Sequence, residues 1–279
     1  MIFGVIALLF LTFLAVPVLK LFGKSFLDNG ITTEFYTSVL HSKGFGRALG
    51  NSFRVSAAAA VLATAIAFVI AYAIHYTRIA RPLKQALQAI ATLPMYLPTI
   101  TYGFAIIYSF GKQGLLTQVF GRQLFNIYGF GGLLLGYVIY TVPVAFLLIH
   151  NTMQFVDKKT LVVSKTMGDN ALSTFWIAVL RPLMGMLVGA FIQAFFLCFT
   201  DFGIPASVGG KYDVIATTLY NEMLGGVPDF NRGAVVAVIM LLPSILSILL
   251  LRWLERYNIR YDRISDAELR HDPVRDLCW

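Results

Sequence analysis

Six stretches of almost uninterrupted apolar residues recur along this chain of 279 residues, separated by shorter polar segments. They lie at about residues 2–22, 55–76, 86–110, 131–149, 183–199 and 233–251. A helix needs about 20 mostly apolar residues to cross the hydrocarbon layer of a bilayer, so each stretch predicts one membrane-spanning helix. Four of the stretches contain proline: Pro17, Pro94 with Pro98, Pro143, and Pro243. Proline interrupts helices in water, but in a membrane neighbouring helices and hydroxyl side chains satisfy the freed backbone groups. The pattern predicts an all-α, polytopic membrane protein with about six spans. Residues 1–254 form its transmembrane domain, and residues 255–279 form a charged tail or a linker.

Composition sharpens this picture. The chain is 58% hydrophobic and 13% charged, with a mean hydropathy of +0.74. A soluble domain is roughly 45–50% apolar and about 25% charged, so an ordinary cytosolic enzyme and a disordered chain are both excluded. The net charge is +8. An even number of spans leaves both termini on one side, and thirteen of the 22 Lys and Arg residues fall inside if that side is cytoplasmic. The basic bias thus predicts cytoplasmic termini, with the charge at the lipid surface and not on nucleic acid. The start of the chain lacks the basic stretch of a secretory signal, which reads as a retained first span.

Little of the sequence carries enzyme chemistry. Gly23-Lys24-Ser25 copies only the end of the phosphate cradle G-x-x-x-x-G-K-[ST], with Val18 where the first Gly belongs. His41, His75, His150 and His271 have no metal-ligand spacing, and Cys198 and Cys278 fall on opposite sides of the layer. No metal, cofactor, disulfide or catalytic set is expected. Asp201, Phe202 and Pro205, in Thr200-Asp201-Phe202-Gly203-Ile204-Pro205 at the outer end of the fifth span, are a candidate translocation path or gate. The alternative for Asp201 is a carboxylate that caps the next turn. Gly132-x-x-x-Gly136 and Gly185-x-x-x-Gly189 have the spacing that lets two membrane helices approach closely. A proton- or ion-driven transporter needs ionisable residues in mid-span or inverted repeats. The spans hold no such relay, so the driving force is expected from a partner. A channel or secondary transporter working without an ATPase is the alternative.

The segment between the fourth and fifth spans, residues 151–182, is the informative one. It is expected on the cytoplasmic side. Helical periodicity flanks Gly168, which suits a turn because glycine accepts φ > 0. Asp169 or Asn170 is placed to cap the second helix. In that helix Leu172, Phe175, Trp176 and Val179 fall at i, i+3, i+4 and i+7, predicting one apolar face.

These residues resemble the permease subunits of binding-protein-dependent ATP-binding-cassette importers, whose cytoplasmic loop reads E-A-A-x-x-x-G, then an aromatic seven residues on and an I-x-L-P ending. Gly168 and Phe175 match that spacing, and Val179-Leu180-Arg181-Pro182 resembles the ending with Pro182 one residue late. Val162-Val163-Ser164 stands where Glu-Ala-Ala is expected. Asn51-Ser52-Phe53, Leu93-Pro94, Leu97-Pro98, Phe110-Gly111-Lys112-Gln113-Gly114-Leu115, Tyr140-Thr141-Val142-Pro143 and Asp201-Phe202-Gly203-Ile204-Pro205 are similar to the ferric-iron and 2-aminoethylphosphonate branch.

The resemblance implies half of a solute path in a bacterial inner membrane. A second permease unit (identical, paralogous or the other half of a longer chain), cytoplasmic ATPase subunits and a periplasmic solute-binding protein would complete it. Residues 160–182 would dock into the ATPase, with Gly168 as the hinge and Phe175 and Trp176 as anchors. The alternative for both aromatics is packing against the chain's own spans. Segments 23–48, 112–130 and 206–231, with Lys211, Asp213, Glu222 and Asp229, would receive the binding protein. The substrate implied is ferric iron or 2-aminoethylphosphonate.

Overall fold

The computed structural model describes residues 2–27, 30–156 and 159–262. Asp157 and Lys158 of the expected cytoplasmic loop, and the end of the expected tail with His271 and Cys278, lie outside the described residues. The described residues are helical: α1 (Gly4–Phe26), α2 (Glu34–Leu40), α3 (Phe45–Tyr76), α4 (Arg81–Thr92), α5 (Thr99–Phe110) and α6 (Leu115–Phe120), then α7 (Phe130–Met153), α8 (Lys159–Thr166), α9 (Ala171–Thr200), α10 (Gly203–Val208), α11 (Ile215–Leu224) and α12 (Phe230–Asp262). Five of these, α1, α3, α7, α9 and α12, are long and apolar enough to cross a membrane.

The third apolar stretch is not one helix. Residues 86–110 divide between α4, a 3-10 turn (Leu93–Tyr96) and α5, and the chain bends by 111° between Arg81–Tyr96 and Thr99–Phe120. Pro98 is the cause. Its ring disfavours helical backbone at the preceding residue, and Leu97 is extended at φ −97°, ψ 140°. The Tyr102 hydroxyl donates to the Pro94 carbonyl and closes the corner. The sixth crossing exists only if this bent pair serves as one span.

The fifth span also begins earlier than its apolar run. Instead of a second short loop helix followed by a span from Leu183, α9 runs unbroken from Ala171 to Thr200, through a π turn at Trp176–Leu180. Helical proline clashes with the carbonyl four residues before it. A π turn placed ahead of Pro182 widens the backbone there, which lets the helix pass through instead of stopping. At the other end of the chain, the last helix continues past the apolar run into the charged segment as far as Asp262.

The core is the packing of α3, α7 and α9 on one another. Ala59, Ala63, Ala67 and Ala71 fall every fourth residue along α3 and are fully buried. A stripe of such small side chains lets helix backbones approach closely, the main source of helix association where lipid is as apolar as the side chains. On the opposite side of α3, Val61 and Val69 are 56% and 63% exposed. This is an inside-out arrangement suited to lipid.

Gly136 serves the same end. A Cβ there would lie 2.7 Å from Ile204 Cγ2 and 3.3 Å from Ile106 Cδ1, so its bare backbone seats α5 and α10 on α7. The Gly132-x-x-x-Gly136 spacing thus works within the chain: a Cβ at Gly132 would meet the Ile127 carbonyl at 1.7 Å. Buried side chains form two clusters along the bundle. One surrounds Tyr137, Phe199 and Ile204. The other surrounds Phe146, Met153 and Val179 at the end that carries the 154–170 loop.

Candidate functional site

At the loop end of the bundle, α8 and the start of α9 form a helical hairpin. Gly168 turns the chain with φ +83°, a conformation that costs other residues about 1–2 kcal/mol. The cap falls to Asn170, whose Oδ1 accepts the Ser173 N–H at 2.8 Å. Asp169 instead accepts a hydrogen bond from the Ser164 hydroxyl at 2.6 Å. Ser164 is buried and sits 3.1 Å from the Thr174 hydroxyl. These contacts tie α8 to α9 through polar groups, at the position where a small residue of the loop motif is expected.

The apolar stripe of this hairpin divides along its length. Phe175 is half-buried, edge-on to Tyr72 at 5.7 Å and to Phe68 at 6.1 Å, and Val179 is buried. Leu172 and Trp176 are 77% and 53% exposed. The predicted single apolar face is therefore two edges: one packs on α3, and the other is uncovered. Phe175 engages the chain's own spans, whereas Trp176 does not share that contact. Val162, Val163 and Met167 are also exposed on the hairpin, and Phe155 is exposed just before it. An open cleft of about 430 Å³ lies between the hairpin and α3, lined by Tyr72, Tyr76, Val162, Asp169, Thr174 and Phe175 among others. Pro182 lies in α9 beyond the hairpin.

A second site lies near the far end of α9. Asp201 is buried, and its Oδ2 accepts the Ile204 N–H at 2.9 Å, capping α10. It also bonds the Gly203 amide and the Thr99 side chain. The backbone there is in close contact: a Cβ on Gly203 would stand 2.2 Å from Thr99 Oγ1 and 2.6 Å from the Ile100 amide. Asp201 thereby couples the end of α9, the short α10 and the start of α5 just after the Pro98 corner. Pro205 is buried within α10, and Phe202 stacks on Tyr220 at 4.6 Å between ring centres. Asp201 thus caps the turn that follows it and stands beside the bent segment.

The segments expected to receive a binding protein are partly occupied by internal contacts. Glu222 pairs with Arg232 at 3.0 Å. Asp229 Oδ1 accepts the Asn231 and Arg232 amides at the start of α12. Asn51 Nδ2 donates to the Asp213 carbonyl at 3.0 Å, and the Ser52 hydroxyl accepts the Ile215 N–H at 2.8 Å.

One pairing had no signal in the sequence. His75 Nε2 and His150 Nδ1 lie 3.0 Å apart, with Gln88 3.2 Å from the other ring nitrogen of His150. The two histidines are 75 residues apart, and only the side-by-side packing of α3 and α7, which run in the same direction, brings them together. Among the described residues, no group of three or more His, Cys, Asp or Glu is placed to hold a metal ion.

A family model described as the binding-protein-dependent transport system inner membrane component matches residues 63–259. Two ferric transport system permeases, from Haemophilus influenzae and Actinobacillus pleuropneumoniae, are each 26% identical to the chain over 278 residues, 98% of its length. The chain spans only 43% and 40% of these relatives, less than half of each. A spermidine/putrescine permease PotC homologue of Mycoplasma genitalium is 27% identical, covering 80% of this chain and 79% of that one. Among solved structures, a chain of a bacterial transporter that imports the acidic polysaccharide alginate matches with a TM-score of 0.75, covering 91% of this chain and 92% of its own. At 12% identity that likeness speaks for the fold alone.

Proposed function

The chain belongs to the binding-protein-dependent transport system inner membrane components, and from that premise we propose that it forms half of the solute path of an ATP-driven importer. The observation that carries the reading is the hairpin of α8 and α9. It combines a polar-tied turn with an uncovered apolar edge, Leu172 and Trp176, at the end of a bundle that is otherwise lipid-facing. An apolar edge at a membrane surface, rigidly joined to a core span, suits a partner that pushes on it. Because α9 is continuous from Ala171 to Thr200, movement of the hairpin passes directly to the Asp201 end. Coupling is then a two-state shift of the bundle, driven by ATP binding and hydrolysis in separate cytoplasmic subunits. Both termini and the hairpin are cytoplasmic in this reading, and a second permease unit and a periplasmic binding protein complete the path.

The substrate we propose is ferric iron. Support comes from the two ferric permeases, which align over 98% of the chain. The polyamine relative covers less of it. Delivery of labelled ferric iron by cells expressing the complete system tests the choice. Uptake should persist in excess spermidine, sulfate or 2-aminoethylphosphonate. Loss of iron uptake to one of these competitors would reassign the substrate and leave the permease reading intact.

A further inference from the structure

Asp201 has polar company at its end of the bundle. Tyr137, Tyr140 and Thr141 fall at i, i+3 and i+4 on α7, and Cys198 and Asp201 fall three residues apart at the end of α9. Each set therefore shares one helix face. The two faces meet: Cys198 bonds the Thr141 side chain, and the Asp201 carboxylate lies within electrostatic reach of both tyrosine hydroxyls. From α5 come Thr99, bonded to Asp201, and Tyr102, whose ring centre lies 5.8 Å from that of Tyr140. Ionisable groups inside a membrane bundle are costly and mark solute paths.

Two features of this seam point to a ligand. Asp201 is buried with neutral donors only, the Ile204 and Gly203 amides and the Thr99 hydroxyl, and among the described residues no cation stands within salt-bridge reach of it. A carboxylate has about four acceptor positions, so three donors leave about one open. Tyr137 is buried too, and buried tyrosine hydroxyls usually find a partner. Among the described residues neither its hydroxyl nor that of Tyr140 has a hydrogen-bond partner.

We propose that Asp201, Tyr137 and Tyr140 form a stopover site for the ferric ion on its way through the permease. A hard trivalent cation prefers oxygen ligands, and phenols supply what the described residues lack in clustered His, Cys, Asp and Glu. One carboxylate and two phenolates match its three charges. As each O–Fe bond forms, the phenol O–H breaks and its proton passes to water, while the iron stays ferric. Three protein oxygens leave the rest of the coordination shell to water. Such binding is favourable enough to admit the ion and weak enough to release it, as conduction requires. A phosphonate would instead meet an uncompensated carboxylate, and like charges placed together are repelled. This inference rests on the ferric reading given above and gives that reading its residues.

The test uses the complete transporter in lipid vesicles, titrated with ferric citrate, because iron bound to phenolate has a visible charge-transfer band. The wild type should develop that band to saturation. The two hydroxyls have no partner to lose, so Tyr137→Phe/Tyr140→Phe should unfold at the wild-type temperature. It should lack the band, and its ATP-driven uptake of labelled iron from loaded binding protein should fall at least about tenfold, the scale of one lost contact to a charged group. Each single variant should keep a band of lower affinity. No band in the wild type, or unchanged band and uptake in the double variant, would overturn the inference and leave ferric transport standing. Displacement of the iron band by spermidine would assign the seam to polyammonium cations and also overturn it. Absence of ferric uptake by the wild-type system is a separate result, which removes the ferric reading and the site with it.

Discussion

Glutamate placed at both Leu172 and Trp176 should abolish ATP-driven uptake while leaving the chain folded in the membrane. Both side chains are mostly exposed, so neither substitution opens a cavity. In a docked complex each would bury an unpaired carboxylate in an apolar contact, at a cost of about 2 kcal/mol or more, and the Trp176 ring is also the residue type that most often anchors an interface. Two such losses reduce ATPase affinity by at least about a hundredfold, since about 1.4 kcal/mol is a factor of ten. Binding to the ATPase subunit and the unfolding temperature of the permease are the readouts. Phe175→Ala provides the contrast. Its ring packs on Phe68 and Tyr72, so that change should lower the unfolding temperature, with any loss of coupling following from it.

Asp201→Ala should separate transport from ATPase binding in the opposite sense. The carboxylate caps α10 and holds Thr99, so its loss leaves the Gly203 and Ile204 amides without their acceptor in a buried setting. Removing a cap costs about 0.5–2 kcal/mol, and each buried donor left unpaired costs about 1–3 kcal/mol. The effect is local, at the junction of α9, α10 and the Pro98 corner. ATPase binding at the hairpin, at the other end of α9, should stay at the wild-type level while uptake falls at least about tenfold. Asp201→Asn retains one acceptor oxygen and should give an intermediate defect. Equal loss of binding and uptake in Asp201→Ala would mean that the whole bundle had collapsed, and would contradict a local role.

The long spans were legible because bilayer thickness imposes one simple rule, a run of about 20 apolar residues, and α3, α7 and α12 obey it. Hydropathy does not report backbone direction, so the corner at Pro98 was hidden inside an apolar run that read as continuous. The residue before a proline was the available signal, at Leu97. The hairpin was legible in part. Gly168 and Asn170 act locally, through backbone conformation and a cap three residues long, and such features are written in adjacent residues. Periodicity grouped Leu172, Phe175, Trp176 and Val179 on one face, but it cannot say that α3 lies against one edge only. Contacts between distant segments were invisible for the same reason. The Asp201–Thr99 contact joins segments about a hundred residues apart, and the His75–His150 pair depends on the alignment of α3 with α7.

The central claim is that this chain provides a path while a partner provides the energy through the hairpin. Its most direct test is uptake into proteoliposomes carrying the permease units, supplied with loaded binding protein outside and ATP within, with and without the ATPase subunits. Uptake should require both ATP and the ATPase subunits, and Leu172→Glu/Trp176→Glu should abolish it. Solute entry at the same rate in vesicles that lack the ATPase would contradict the account and point to a channel or secondary transporter.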